Sequence, residues 1–382
     1  MQRRTIAPRP DWQKRVEAQG CVWHGADTSE VYWAEGTFYA LTDAEIDRIA
    51  AVSEELHQMF IAAGDRVIGH NLFARFGIPD WCVPLIRDAW EDEPPALNHG
   101  RFDLAIDRNG TPRLFEYNCD TPTSLIEASL VQWDWKEGAL PHLDQYNRIH
   151  EALVERWTAI APDLPEPTVH FAHAMDALGE DMLTTGYMMD IAREAGIDPR
   201  RMTMAEIGWA AGADGGFFDG QDQPVSTLFK LYPWEWLAAE PFGRNIAIDP
   251  RGTLWIEPIW KMLWSNKAIL PVLWELYPDH PNLLGASFEP PPPGLDHVIK
   301  PMLGREGGNV RVVKGGQVVA EAEGRYTGPV IYQELCDWQD FGGRYPVIGS
   351  WMVDGTCCGL GIREGGLITT NRDQFVPHVI DD

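Results

Sequence analysis

The sequence predicts a mixed fold, α/β in one part and α+β in the rest, and three stretches predict it. Residues 101–120, RFDLAIDRNGTPRLFEYNCD, read as a β-hairpin of two apolar-alternating strands around Asn109-Gly110. Residues 168–207 alternate strand, helix and strand at a spacing that suits parallel pairing. Beyond the prolines crowded at 290–293 the chain turns to short strands broken by glycine pairs.

The hairpin carries the densest chemistry. Asn-Gly is the strongest short signal for a two-residue type I′ turn. With Arg108 opposite Thr111, Asp103 falls across from Glu116 and Arg101 across from Asn118. Alternation then puts these four polar groups on one face and Phe102, Leu104, Phe115 and Tyr117 on the other. Facing carboxylates repel, so a cation between them is expected. Two carboxylates and an amide oxygen are hard donors that suit Mg²⁺, with waters and phosphates completing its shell. An exposed hairpin with surface charges is the plainer alternative.

Composition narrows the partners. With 382 residues, 45% hydrophobic and 23% charged, the chain can bury a large core in two or three domains. A formal charge of −26 disfavours nucleic acid and anionic membranes and suits a neutral or cationic small molecule. Six cysteines (Cys21, Cys82, Cys119, Cys336, Cys357, Cys358) form no CxxC pair, and the chain opens with no apolar leader. Both features predict reduced thiols and a cytoplasmic location. No run approaches the ~18 apolar residues of a membrane helix. Seventeen tryptophans predict large aromatic interfaces or an aromatic-lined cleft.

In chain order, residues 1–35 read as an irregular arm, basic and then aromatic. A helix is expected from Thr42 to Gly64, opened by a Thr42–Glu45 capping box, and a short one near Trp81–Ala89. After the hairpin, Ser124 and Glu127 form a second capping box, so a helix N-terminus with free N–H groups follows the acids. A helix over 142–163 ends at the Pro-rich 162–167 segment, a subdomain boundary. Strand Thr168–Ala172, an acidic helix start over Asp176–Asp181 including Glu180, a helix to Ala195 and strand Met202–Ile207 follow. A helix from Pro258 to Leu276 carries Lys261 and Lys267, and prolines 290–293 form a stiff linker.

Strand His297–Met302 then holds Lys300 ahead of the loop Gly304-Arg305-Glu306-Gly307-Gly308-Asn309, and strand Val310–Val313 turns at Gly315-Gly316. A lysine beside a glycine loop suits nucleotide phosphates, although the loop lacks the Walker A pattern. Val330–Leu335, with Gln333 and Glu334, reads as a strand running into an adenine-edge hinge or simply leaving a sheet. Tyr345–Val353 and Cys358–Arg363 turn at Asp354-Gly355, and Arg363 or Arg372 would reach a phosphate.

Taken together, Arg-x-Asp followed by Glu-Tyr-Asn-x-Asp-Thr-Pro-Thr-Ser, then FKLYPWEW, KPMLGREGGN and GSWMVDG, resemble the synthetase half of glutathionylspermidine synthase, and more closely its short bacterial relatives. The resemblance implies a permuted ATP-grasp fold with an added α/β (pre-ATP-grasp) subdomain. It divides the chain into 1–165, a substrate-side α/β part over 166–257, and a nucleotide-binding part over 258–382. It implies ATP and Mg²⁺ as cofactors, with a small carboxylate, such as a thiol peptide, and an amine, such as a polyamine, as substrates. Under it, Asp103, Glu116 and Asn118 hold Mg²⁺, and Arg101 and Arg363 face the phosphoryl group in transfer. Lys261 and Lys300 contact ATP phosphates beneath a lid of Gly304, Gly307, Gly308 and Asn309, and Gln333, Glu334 and Leu335 hold adenine. Ser124 places the peptide, and Glu180 and Asp181 meet the amine.

The expected chemistry is amide formation through an acyl phosphate, with the glycine loop excluding water. No amidase half accompanies these motifs, so no hydrolysis of the product is expected. Cys119, inside the ligand motif, should point to the apolar face. Two other classes stay open on the residues alone: a metal-dependent hydrolase, and a nucleotide-binding protein without turnover.

Overall fold

A computed structural model describes residues 1–25, 31–175, 179–371 and 373–382. Two antiparallel five-stranded sheets dominate it. The first runs Gln374–Val376, Thr356–Gly365, Tyr345–Val353, Gly100–Ile106, Pro112–Asn118, so the hairpin is one edge of a sheet completed from the C-terminus. The second runs Ala286–Ser287, Val330–Glu334, His297–Pro301, Arg311–Lys314, Gln317–Glu321. Prolines 290–293 therefore connect two strands of one sheet and separate nothing.

A parallel four-stranded sheet forms from Leu254–Ile256, Thr227–Leu231, Thr168–His173 and Asp198–Thr203, as the strand–helix–strand alternation requires. Its intervening helix, Glu180–Glu194, buries Thr184, Met188 and Ile191. The last strand stops at Thr203 and not at Ile207, because Thr203 and Glu206 close a capping box that curls the chain into a 3₁₀ turn. The N-terminal arm is more regular than expected. Gln2–Thr5 pairs with Thr37–Leu41, which also pairs with His378–Ile380.

Helix Asp43–Gly69 opens at the expected Thr42–Glu45 capping box and packs Ile46, Ile49, Leu56, Phe60, Ala63 and Val67 on the first sheet. It runs past Gly64, where the glycine lets Trp90 approach: a Cβ there would meet the indole at 2.3 Å. The predicted helix over 258–276 breaks into Lys261–Trp264 and Ile269–Leu276. Asn266 causes the break, its Oδ1 accepting from the Ala268 N–H and its Nδ2 donating to the Phe76 carbonyl. The helix expected over 142–163 covers only Ile149–Ile160, extended by a 3₁₀ turn to Asp163.

Two local readings are corrected. Asn109-Gly110 does not form a type I′ turn: Asp107 N–H bonds the Thr111 carbonyl across a three-residue loop, and Gly110 is in the left-handed region at φ 83° while Asn109 is not. The Asp107 carboxylate shapes this loop by accepting from the Asn109 and Thr111 N–H groups. Ser124 and Glu127 do not form a capping box. Ser124 sits at φ 65°, and the Glu127 carboxylate instead accepts from Trp23 Nε1 and the Tyr32 hydroxyl inside the core.

Candidate active site

Asp103 stands across from Glu116 and Arg101 across from Asn118, although the turn is one residue longer than expected. A bulge restores the register: near the loop Leu104 pairs with Leu114, and Phe115 is the extra residue. Phe115 consequently leaves the core face, where Leu114 takes its place beside Phe102, Leu104 and Tyr117, and turns toward the cleft beside Trp338. Its expected position on the apolar face is thus corrected.

The acids are not left facing each other. Arg101 grips Asp103 with two bonds, Nε to Oδ1 at 2.6 Å and a terminal nitrogen to Oδ2 at 3.1 Å, and Arg363 reaches Oδ2 at 2.8 Å. Gly349, the cross-strand neighbour of Asp103, makes room for Arg101; a Cβ there would meet Arg101 Cδ at 2.6 Å. Glu116 receives Lys267 Nζ at 2.9 Å. Burial would raise the Glu116 carboxyl, but Lys267 and Lys300 outweigh it and hold it well below the usual carboxylate range. Asn118 Nδ2 bridges the two acids, 3.3 Å from Asp103 and 3.2 Å from Glu116.

Lys300 enters from the second sheet. Val298, Lys300 and the cross-strand Gln333 all face the cleft. Its Nζ donates to Gln333 Oε1 at 2.6 Å and to the Phe115 carbonyl at 3.2 Å. Gln333 Nε2 in turn donates to the Leu114 carbonyl, so one amide ties the two sheets together. Burial, opposed by Glu116, lowers the Lys300 ammonium to about 8.

The glycine loop is closed over this floor. Gly304 and Gly307 line the cleft, the Gly304 carbonyl accepts from Lys267 at 2.7 Å, and Gly307 lies so close to Thr369 that a Cβ would sit 2.3 Å from its carbonyl oxygen. Arg305 donates to Thr121 Oγ1 at 2.9 Å, and Asn371 to Glu306 at 3.0 Å. Gly308 and Asn309 face the other way, Asn309 Oδ1 accepting from the Tyr326 N–H. The free volume left is about 90 Å³, well below the ~300–1,000 Å³ of typical ligand pockets.

Lys261 is not in this cleft. It is fully buried 3.4 Å from Glu257, which also bonds His99, and the nearby cation in the cleft is Lys267. Sequence periodicity hides Lys267, because the Asn266 break takes it off the helix that carries Lys261. Glu334 and Leu335 line the cleft with Gln333, the Leu335 N–H bonding the Asp296 carbonyl. Cys119 points to the core, as expected, against the Lys261 carbonyl and Ser265.

Ser124 belongs to a neighbouring polar patch. The Arg101 guanidinium also donates to the Thr123 carbonyl, which joins the acid pair to the segment bearing Ser124 and the buried Glu127. Burial raises Glu127, against the hydrogen bonds from Tyr32 and Trp23. Burial first, then the charges of Glu127 and Glu180, raise the Tyr32 hydroxyl, which places Glu180 beside this patch. Asp181 follows in the first turn of the same helix. Residues 176–178 of the expected acidic start, and Arg372, lie outside the described residues.

The family model described as glutathionylspermidine synthase preATP-grasp matches residues 3–381. The chain belongs to that family. A Haemophilus influenzae relative, provisionally named an acid–amine ligase, is 38% identical over 385 residues, covering 97% of each chain. Trypanothione synthetase of Crithidia fasciculata is 31% identical over 86% of this chain and 54% of its own. The bifunctional glutathionylspermidine synthetase/amidase of Escherichia coli is 27% identical over 90% of this chain and 59% of its own. The chain thus spans little more than half of these two relatives. Among solved structures, a glutathione synthetase-like effector of Globodera pallida shares the fold, with a TM-score of 0.58 at 9% identity over 98% of this chain and 100% of that one.

Asp103, Glu116 and Asn118 suit a divalent cation on donor chemistry. Two carboxylates and an amide converge, and turning the Asn118 amide presents Oδ1 where Nδ2 now bridges both acids. Among the described residues no group of three or more His, Cys, Asp or Glu forms a metal site by itself. Nor is an ion required to separate the acids, because four cationic side chains, Arg101, Arg363, Lys267 and Lys300, already surround these two carboxylates. The surplus is two positive charges, in a protein of formal charge −26. The cation expected between the facing acids is thus supplied by the protein's own side chains, and the pairing by itself does not call for a metal.

Proposed function

We propose that the chain is an ATP- and Mg²⁺-dependent carboxylate–amine ligase built on a permuted ATP-grasp clamp. One observation carries this reading: a buried cluster of surplus positive charge lies between two sheets, under a glycine loop, with two carboxylates and an amide at its centre. Such a site holds polyphosphate through charge-assisted hydrogen bonds. It suits a hydrolase poorly, since Asp103 and Glu116 are both tied to cations and neither is free to act as a general base. The names of the relatives agree with ligation of an acid and an amine.

Lys267 and Lys300 would bind the distal phosphates, and Arg101 and Arg363 would offset charge building on the transferred group. Asp103, Glu116 and Asn118 would hold Mg²⁺, which when bound would neutralise and orient the phosphate oxygens. The substrate carboxylate oxygen attacks the γ-phosphorus as the bond to ADP breaks, giving an acyl phosphate. The amine then attacks the acyl carbon, phosphate leaves, and the nitrogen loses a proton. The lid of Gly304, Gly307, Gly308 and Asn309, clamped by Arg305 on Thr121, would keep water from the acyl phosphate. Gln333, Glu334 and Leu335 would border adenine, and Ser124, Glu180 and Asp181 would face the acid and amine. A thiol peptide and a polyamine are the first substrates to try, given the glutathionylspermidine and trypanothione synthetases among the relatives.

ADP release across a matrix of thiol peptides, amino acids and polyamines tests the reading. Release that needs both an acid and an amine supports it. Nucleotide binding with no release in any combination would favour a binding protein without turnover.

A further inference from the structure

Residues 229–236, FKLYPWEW, carry a buried cation to which the proposed ligation gives no part. Lys230 lies in Thr227–Leu231, an interior strand of the parallel sheet paired on one side with Leu254–Ile256 and on the other with Thr168–His173. Its ammonium donates to Asp120 Oδ1 at 2.6 Å and to the Tyr232 carbonyl at 2.9 Å, and sits 4.6 Å from the Trp234 ring centroid. Burial lowers this ammonium and Asp120 opposes the shift. A buried charge is tolerated only beside its counter-charge, so Lys230 and Asp120 are held together across 110 residues of sequence.

Asp120 is a junction. Its second oxygen, Oδ2, accepts from the Trp234 N–H at 2.7 Å, and its own N–H donates to Ser265 Oγ at 3.0 Å. The next residue, Thr121, accepts from Arg305 of the lid. Arg305 also lies 5.8 Å from the ring of Trp236, in the helix Trp234–Ala239 whose first N–H Asp120 holds. Both contacts of Arg305 are therefore set by where Asp120 stands. Farther along the same segment, the Thr123 carbonyl accepts from Arg101, which grips Asp103. Residues 119–124 have no regular structure of their own, and irregular backbone opens readily unless it is tied down.

We propose that Lys230 is a positioning residue for ligation. By holding Asp120 it fixes the 120–123 segment, so that Thr121 stands where the lid closes on it and the Thr123 carbonyl stands where it braces Arg101 against the acid pair. The parallel sheet thereby sets the lid's catch and the aim of Arg101 through one ion pair. Without that pair the catch and the brace loosen together. The benefit to ligation rests on the ligase reading, whereas the mechanical link does not.

Lys230→Met alone would strand a buried carboxylate, so the test uses Asp120→Asn/Lys230→Met, which removes both charges and keeps an acceptor for the Trp234 N–H. In the double variant, amide hydrogen exchange on the full chain without nucleotide should quicken about tenfold over 119–124 and 304–309 together, while Thr168–His173 keeps the wild-type rate. Thr121→Val, which removes only the catch, should quicken 304–309 alone. With an acid and an amine found productive in the substrate matrix, the double variant should release several-fold more ADP per amide at an unchanged KM for ATP. General loosening of the fold does not give that split. Unchanged exchange at 304–309 in either folded variant, or equal quickening of Thr168–His173 in the double variant, would overturn the proposal. Absence of ADP release from the wild type would count against the ligase reading, and the exchange rates would still decide this one.

Discussion

Lys267 Nζ joins Glu116 Oε2 at 2.9 Å to the carbonyl of Gly304 at 2.7 Å, so a single ammonium links the floor of the cleft to its lid. A phosphate entering the cleft would compete for that ammonium and release the loop from it. Under the proposed function, nucleotide entry and lid movement would then be one event.

Lys267 and Lys261 should therefore behave differently when neutralised. Lys267→Met should weaken nucleotide binding at least tenfold and lower the melting temperature less than Lys261→Met does, because Glu116 keeps Lys300 beside it. Lys261→Met should do the reverse, because it leaves the buried Glu257 carboxylate with only His99 and the Asn98 N–H, a loss of about 3–5 kcal/mol. Calorimetric nucleotide titration beside thermal melts of both variants separates the two roles.

Arg305→Ala removes the lid's hydrogen bond to Thr121 and its contact with Trp236 without touching the acid pair. Water should then reach the acyl phosphate. The ratio of ADP released to amide formed, expected near one in the wild type, should rise several-fold.

Lys300 gives the cleft a pH dependence with two opposite signs. Burial lowers its ammonium to about 8 from an ordinary 10.5, so the unfolded chain binds more protons between those values. Its contribution to stability is unfavourable below about 8 and relaxes as pH rises toward 10.5. Nucleotide affinity moves the other way, since the ammonium attracts phosphate and is lost above about 8, or somewhat higher once a bound anion supports it. Affinity measured from pH 7 to 9.5 should fall in the wild type and stay flatter in Lys300→Arg.

Much of this was legible in sequence, and some of it for an incomplete reason. The facing of Asp103 and Glu116 follows from the alternation around Asn109-Gly110, yet the loop has three residues and the bulge at Phe115 returns the register. The two departures cancel at the acids and show only between loop and bulge, where Leu114 rather than Phe115 stands across from Leu104. What neutralises the acids could not be read locally, because Arg363 and Lys267 come from segments 260 and 151 residues away from their partners and meet them only through the folded sheets. Lys267 was further obscured by Asn266, whose side chain breaks a helix that hydrophobic periodicity alone continues. Ser124-x-x-Glu127 matched the capping pattern, but burial of Glu127 against Trp23 and Tyr32 prevailed over it.

The central claim is that the acid pair serves Mg²⁺-dependent nucleotide binding. Asp103→Asn tests it most directly, since the amide keeps the size of the side chain and removes its charge. Titration of ATP with and without Mg²⁺ into folded wild-type and Asp103→Asn proteins should show that the wild type's Mg²⁺-dependent affinity is lost in the variant. An unchanged Mg²⁺-dependent affinity in Asp103→Asn would contradict the account.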